Sequence, residues 1–126
     1  MGSTRKLAGR LGFIGGGLMA EAMLKGILQA GIIGAEDVLV SDPDESRRAL
    51  LSSQFQVAVH EGAEPLWRGC DTIILAVKPQ ILGTLLEENL QEVESRHLII
   101  SIAAGIPLSL IEGKLAGTGC RVIRVM

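Results

Sequence analysis

A glycine-rich turn near the amino end of the sequence has the residue types and spacing needed to hold a phosphate. It joins an apolar run at 11–14 to a helix-forming run at 17–30. Gly15 permits a tight turn out of the strand, and Gly17 has no Cβ, so a phosphate could approach the backbone. Ala20 is small enough for helix and strand to pack together, and the N–H groups at the helix start would face the anion. The pattern predicts a cradle for a pyrophosphate, although the same glycines also suit an ordinary turn.

The composition favours one domain built around an aliphatic core. The chain has 126 residues, of which 48% are hydrophobic and 2% aromatic, so the core must consist of Leu, Ile, Val and Ala. Such a core is typical of a parallel sheet that is covered on both faces. With a net charge of −2, two Phe, one Trp and no Tyr, the sequence predicts no binding to nucleic acid or to an anionic membrane. No apolar stretch reaches the roughly 18 residues of a membrane span.

The two cysteines predict a reducing compartment rather than a metal site. Cys70 and Cys120 lie far apart in the sequence and do not form a metal-ligand pair, so we expect two buried thiols. The charged start, Met1–Lys6, is not followed by the apolar region of a signal peptide. These features together predict a cytoplasmic protein.

Strands and helices alternate along the chain. Aliphatic runs predict six strands, at residues 11–14, 37–41, 57–59, 72–77, 97–102 and 121–126. Helical runs predict five helices, at residues 17–30, 44–53, 61–69, 80–93 and 107–116. The alternation predicts an α/β fold, a doubly wound parallel sheet of the Rossmann type with right-handed crossovers and strand order 3-2-1-4-5-6. We expect one domain over residues 1–126 and, because the chain stops on a strand, a truncated piece of a longer protein.

The end of the second predicted strand bears on the choice of cofactor, because ligands in this fold bind outside the carboxyl ends of the strands. Ser41 takes the last strand position, with Asp42 one residue beyond. A neutral hydroxyl does not repel the 2′-phosphate of NADP, and Arg47 or Arg48, on the outer side of the next helix, could donate two hydrogen bonds to it. The sequence therefore favours NADP over NAD. The alternative is that Ser41 and Asp42 cap the next helix and both arginines lie in solvent.

The ends of the fourth and fifth predicted strands suit the other half of a dinucleotide. Small residues in Ala76–Pro79 leave room for a ribose or a nicotinamide ring, and Ala103–Gly105 lets a flat ring lie against the backbone. The alternatives are that Lys78 pairs with an acid at the surface and that Ala103–Gly105 serves the packing of the next helix. His60 and His97 have no carboxylate partner at a local spacing and are predicted to be structural or exposed. The sequence thus predicts no catalytic pair and no metal site, as in a domain that positions a cofactor.

Five segments taken together resemble the pyrroline-5-carboxylate reductase family. They are residues 12–23, 40–43, 75–80, 101–106 and 121–126, and the resemblance extends over about residues 8–126. The segments Lys78–Pro79 and Ala103–Gly105 stand at matching distances from the glycine turn along the sequence. Together with the turn they are more specific for this family than the turn alone. Two positions depart from the family: Leu18 stands where it has a polar residue, often Asn, and Glu61–Glu64 stands where it has an Asn.

The resemblance implies an enzyme that uses NAD(P)H to reduce 1-pyrroline-5-carboxylate, a small-molecule substrate, to L-proline in the last step of proline biosynthesis. It implies an NAD(P) cofactor, for which the end of the second strand favours NADP, with NAD as the alternative. The cofactor-binding residues that it implies are Gly15, Gly16, Gly17, Leu18, Met19, Ala20, Ser41, Asp42, Ala76, Val77, Lys78, Pro79, Ala103, Ala104 and Gly105. In the family a C-terminal helical domain forms the homo-oligomer and completes the substrate site. Catalytic residues are therefore expected beyond Met126, and this chain alone is expected to be inactive.

Two other functions remain open at this point. One is a different two-domain NAD(P)-dependent dehydrogenase, of the β-hydroxyacid or prephenate type, which would oxidise an acyclic hydroxy acid and ignore a cyclic imine. The other is a regulatory module that binds a nucleotide and changes its assembly state without reductase activity. Substrate profiling separates the first from a pyrroline-5-carboxylate reductase, and the absence of turnover in a longer protein would favour the second.

Overall fold

The computed structural model describes residues 9–125, which form a parallel sheet in the order β3-β2-β1-β4-β5-β6. The strands are β1 Leu11–Ile14, β2 Val38–Ser41, β3 Ala58–His60, β4 Thr72–Leu75, β5 Leu98–Ser101 and β6 Arg121–Arg124. Every neighbouring pair is parallel. The predicted fold class and strand order are confirmed. The first eight residues of the predicted domain and Met126 of the predicted sixth strand lie outside the described residues.

Five helices connect these strands within the described part of the chain. They are α1 Leu18–Gln29, α2 Glu45–Phe55, α3 Glu64–Gly69, α4 Pro79–Asn89 and α5 Leu108–Lys114. The largest difference from the prediction is at α4, which ends at Asn89 rather than at residue 93 because Leu90–Glu92 forms a 3-10 turn. Helix α3 begins at Glu64, three residues later than predicted, because the residues before it form bends. Strand β4 ends at Leu75, so Ala76 and Val77 belong to the loop that follows it.

Two apolar cores lie on opposite faces of the sheet. The core beneath α3, α4 and α5 contains Trp67, Leu82 and Ile111, all of them buried. The core beneath α1 and α2 contains Leu24 and Leu51. The three strands β2, β1 and β4 are buried at every position, which explains their largely apolar sequences without polar alternation. The sheet is therefore a rigid platform that fixes the positions of the loops at its carboxyl end.

Arg96 closes the amino end of the sheet by bonding to the last turn of α3. Its Nη2 donates to the carbonyl oxygens of Trp67 (2.9 Å) and Arg68 (3.0 Å). Its Nη1 donates to the carbonyl oxygen of Cys70 (3.0 Å) and to Asp71 Oδ1 (2.9 Å). The C-terminal carbonyl groups of a helix lack intrahelical partners, so a cation here satisfies groups that would otherwise require water.

His97 is buried beside Arg96 and has a structural role, as the sequence predicted. Its Nδ1 accepts a hydrogen bond from the Glu94 N–H (2.9 Å), so the proton must lie on Nε2, which donates to the Trp67 carbonyl oxygen (2.6 Å). The imidazole also meets the Trp67 ring edge-on, with centroids 5.3 Å apart. Burial raises the pKa of the neighbouring Cys70 thiol to about 11, which keeps it protonated and unreactive.

Candidate functional site

The turn after β1 requires glycine at position 15. Gly15 has φ +104°, and a Cβ built on it would lie 2.4 Å from the Ala76 carbonyl oxygen. The turn is held to the neighbouring strands because the Gly15 N–H donates to the Ser41 carbonyl oxygen (2.8 Å) and the Ala76 N–H donates to the Ile14 carbonyl oxygen (2.8 Å). An L side chain would be strained by this conformation and would displace the backbone after β4.

The two glycines that follow differ in their surroundings. Gly16 is buried, and a Cβ there would lie 2.9 Å from Leu51 Cδ1. Gly17 is exposed, and a Cβ there would meet no described atom within 4 Å. Gly17 is the N-cap of α1 and no side chain caps it. The first N–H groups of α1 therefore have no intrahelical partner and lie at the positive end of the helix dipole, next to open space.

Side chains from the β2–α2 loop and from the first turn of α2 bond to this turn. Asp42 Oδ2 accepts a hydrogen bond from the Gly16 N–H (2.8 Å), and Arg47 Nε donates to the Gly16 carbonyl oxygen (2.6 Å). Arg47 Nη2 also donates to Glu21 Oε1 (2.7 Å) in the first turn of α1. The predicted place of Arg47 on the outer side of α2 is wrong, because these contacts turn its side chain inward, where it is 22% exposed.

The helix-capping alternative for Ser41 and Asp42 is also corrected by the structure. The N-cap of α2 is Asp44, whose carboxylate accepts hydrogen bonds from the backbone N–H (2.9 Å) and the hydroxyl (2.8 Å) of Ser46. Asp42 Oδ1 accepts from the Asp44 N–H (2.8 Å), which stabilises the loop before the helix. Arg48 Nη1 donates to the carbonyl oxygens of Asp42 (2.8 Å) and Pro43 (3.0 Å), which places its guanidinium beside this loop.

A cleft of about 660 Å³ opens at the carboxyl ends of β1, β2 and β4. The predicted site residues that line it are Gly15, Gly17, Ser41, Asp42, Ala76, Val77 and Lys78. The strand order reverses between β1 and β4, and ligands of doubly wound sheets bind in the crevice at such a reversal. A volume in this range suits a small organic ligand or a cofactor.

The other predicted residues lie outside the walls of this cleft. Buried Gly16 and Ala20 support the turn from behind, whereas Leu18 and Met19 are 78% and 52% exposed on the first turn of α1. Pro79 begins α4. Ala103–Gly105 follows β5 at the same edge of the sheet but does not contribute to the cleft, and only Ala103 in it is buried.

Sequence reasoning missed the contribution of α4 to the cleft. Ile81 and Leu85 line it, while their neighbours Leu82 and Leu86 are buried in the core. The missed signal is that α4 has an apolar residue directly before each core residue, which widens its apolar stripe beyond what the core requires. The remaining lining residues are Ile14, Pro43, Glu61, Gly62, Ala63, Glu64, Glu88 and Asn89.

The charges around the cleft are mostly negative, with Asp42, Glu61, Glu64 and Glu88 among the lining residues and Lys78 as a cation. Glu64 pairs with Arg68 (3.2 Å), whereas within residues 9–125 the Lys78 ammonium has no carboxylate at ion-pair distance. In this mostly negative cleft, the groups that would attract an anion are the Lys78 ammonium and the positive end of the α1 dipole. The described residues contain no group of three side chains able to hold a metal ion, and no helix among them is long and apolar enough to cross a membrane.

The fold and the cleft together define a domain of the doubly wound, dinucleotide-binding class. The chain belongs to the family described as NADP oxidoreductase coenzyme F420-dependent, which matches residues 10–105. It is 40% identical over 125 residues to pyrroline-5-carboxylate reductase 3 of Mus musculus, a match that covers 99% of this chain and 45% of that protein. The resemblance that the sequence motifs indicated is confirmed, and the chain spans less than half the length of this curated relative.

Solved structures agree with this assignment. A pyrroline-5-carboxylate reductase from Coxiella burnetii superposes with a TM-score of 0.87 at 27% identity, over 95% of this chain and 44% of that one. The Plasmodium falciparum pyrroline carboxylate reductase with NADP bound superposes with a TM-score of 0.81 at 30% identity, over 96% of this chain and 43% of that one.

Proposed function

We propose that this chain is the cofactor-binding part of a reductase that transfers hydride from NADPH to 1-pyrroline-5-carboxylate, giving L-proline in the last step of proline biosynthesis. The observation that carries the proposal is the start of α1, uncapped by any side chain, after the Gly15 turn at the reversal of strand order. The relatives named above supply the substrate class. The pyrophosphate would accept hydrogen bonds from the N–H groups of Gly17, Leu18 and Met19.

NADP is the proposed cofactor, with NAD as the alternative. Both carboxylate oxygens of Asp42 accept hydrogen bonds from the protein backbone, so this acid is held by the protein rather than turned toward a ribose. Arg47 is held by Gly16 and Glu21 through Nε and Nη2, whereas among the described residues Arg48 bonds through Nη1 alone, so Arg48 is the candidate donor to the 2′-phosphate. The NADP-bound relative supports the same choice.

The rest of the dinucleotide would extend along the carboxyl end of the sheet. The apolar side chains of Val77, Ile81 and Leu85 offer a wall for a flat ring, and Lys78 offers a cation. Ala103–Gly105 is proposed to flank the nicotinamide side. Hydride transfer belongs to the cofactor, so the residues of this chain bind and orient it.

The substrate site, the proton donor and the homo-oligomer interface are proposed to lie on a further, helical part of the protein. The relatives are more than twice as long as the matched segment, which supports this proposal. The cytoplasm is the proposed location, because Cys70 and Cys120 are both free thiols, as expected in a reducing compartment.

Calorimetric titration and a turnover assay test the proposal together. We expect this chain to bind NADP+ and NADPH but to show no turnover with 1-pyrroline-5-carboxylate. A longer protein that contains the chain should consume NADPH and form proline when supplied with that imine. A chain that binds neither NADP+ nor NAD+, or a longer protein that oxidises acyclic hydroxy acids and ignores the imine, would contradict it.

A further inference from the structure

Both backbone groups of Gly16 are held by side chains, one from the β2–α2 loop and one from the first turn of α2. Asp42 accepts a hydrogen bond from the Gly16 N–H at 2.8 Å, and Arg47 donates to its carbonyl oxygen at 2.6 Å. Gly16 itself is buried against Leu51. Asp42 and Arg47 lie 26 and 31 positions further along the sequence than Gly16. They thus fix the orientation of the peptide groups on both sides of this one glycine.

The bond from Arg47 determines where the next N–H group points. The Gly16 carbonyl and the Gly17 N–H belong to one planar trans peptide, so they point in opposite directions. With the carbonyl directed at the Arg47 guanidinium, the Gly17 N–H is directed away from it. Gly17 lines the cleft and is exposed, so this N–H is kept on the side that is open to a ligand.

Arg47 also neutralises a carboxylate in the first turn of α1. Its Nη2 lies 2.7 Å from Glu21 Oε1, and the two side chains are only 22% and 26% exposed. A carboxylate near the start of α1 would repel a pyrophosphate bound there, and partial burial would strengthen that repulsion. The ion pair removes this repulsion while leaving the N–H groups of the first turn unoccupied.

We propose that Arg47, paired with Glu21, is a positioning residue for the pyrophosphate-binding turn, where Asp42 holds the other backbone group of Gly16. The inference rests on the proposed function, because it concerns the same cleft. Arg47 acts through Gly16 and Glu21 and does not touch the ligand. It contributes equally to binding of NAD and NADP, because both contain the pyrophosphate and they differ at the 2′-phosphate alone.

The Arg47→Met variant tests this role by calorimetric titration with NADP+ and with NAD+. Loss of a charge-assisted hydrogen bond and of the Glu21 partner should weaken both ligands by about tenfold. A direct contact with the 2′-phosphate would instead weaken NADP+ alone. The matched control is Arg121→Met, which removes the same charge from an exposed position at the opposite end of the sheet and should leave both affinities unchanged.

Two further measurements distinguish positioning from a general loss of structure. In the amide proton–nitrogen spectrum of ligand-free Arg47→Met, the Gly17 resonance should move while that of His97, at the amino end, stays in place. Arg47→Lys keeps the positive charge beside Glu21 but cannot donate both hydrogen bonds in this geometry, so it should weaken both dinucleotides by about threefold. This second variant decides the question if Arg47→Met fails to fold.

The outcomes separate this inference from the proposed function. If the unmodified chain binds neither dinucleotide, the proposed function fails and the inference fails with it. If the unmodified chain binds and a folded Arg47 variant binds as tightly, or loses affinity for NADP+ alone, only the inference is overturned. Parallel losses for NAD+ and NADP+, together with the Gly17 shift, support it.

Discussion

At the amino end of the sheet, Arg96 and His97 bond to backbone groups around α3, whereas at the carboxyl end the first N–H groups of α1 face an open cleft. Polar groups in the protein interior are costly without a partner, so the amino end contributes to stability. The groups at the carboxyl end have no such partner and remain available to a ligand. Substitutions at the two ends should therefore change different measurements: the free energy of unfolding at one and the dissociation constant at the other.

Gly15→Ala should have the largest effect, because it acts on both measurements. The φ of +104° and the 2.4 Å approach to the Ala76 carbonyl oxygen should lower the free energy of unfolding by about 3 kcal/mol. The displaced loop after β4 should also weaken NADP+ binding in the variant that remains folded. Urea denaturation and titration measure the two effects. Gly26→Ala on α1 is the control, since a Cβ there meets no described atom within 4 Å and stability should not fall.

His97→Leu should affect stability alone. It leaves the Glu94 N–H without its partner and removes one of the two hydrogen bonds to the Trp67 carbonyl oxygen, which Arg96 still donates to; this should cost about 2 kcal/mol in urea denaturation. The affinity for NADP+ should stay within twofold of the original, because His97 lies at the amino end. Half-buried His60 provides the matched His→Leu control, with a smaller loss of stability expected. A binding defect in a folded His97→Leu variant would contradict the division between the two ends.

Gly17→Ala should affect binding alone. Its φ of −80° suits any residue, and the added Cβ meets no described protein atom within 4 Å, so the thermal midpoint should not change. The methyl group would occupy space next to the first N–H groups of α1, and the dissociation constant for NADP+ should rise about tenfold, or roughly 1.4 kcal/mol. Gly113→Ala, on α5, is the control with an equally open environment. Unchanged affinity would show that the phosphate binds elsewhere.

Asp44→Ala should have the smallest effect of these substitutions. It tests whether a residue at the carboxyl end of the sheet can contribute to the free energy of unfolding in a way that depends on pH. Hydrogen bonds from the Ser46 hydroxyl and backbone N–H lower the pKa of Asp44 below its usual 3.8. The carboxylate thus stabilises the fold above pH 3.8, and this contribution is lost as the pH falls through the lowered value. The difference in unfolding free energy between the original chain and Asp44→Ala should be largest at neutral pH and shrink in acid. If the difference in unfolding free energy did not change with pH, the Asp44 carboxylate would not stabilise α2 through its charge.

The strand order and the Gly15 turn could be predicted from the sequence because both depend on local patterns. Aliphatic runs separated by helical runs leave few possible strand orders for the sheet. A glycine directly after the first strand indicates a tight turn with a positive φ at that position. The partners of Arg47 could not be predicted, since Glu21 and Gly16 are brought near it only because α1 and α2 lie on the same face of the sheet. The sequence also could not show that Ala103–Gly105 lies outside the cleft. The strand order was predicted correctly, but the extent of the cleft depends on how the surrounding loops and helices pack.

Titration of the labelled chain with NADP+, followed in the amide proton–nitrogen spectrum, tests the central claim most directly. The claim is that a dinucleotide pyrophosphate accepts hydrogen bonds from the open N–H groups at the start of α1. The account predicts that the resonances of Gly17, Leu18 and Met19 shift most, while those of Trp67 and His97 at the amino end stay in place. Saturable binding with no shift at the start of α1, or with the largest shifts at the amino end, would contradict it.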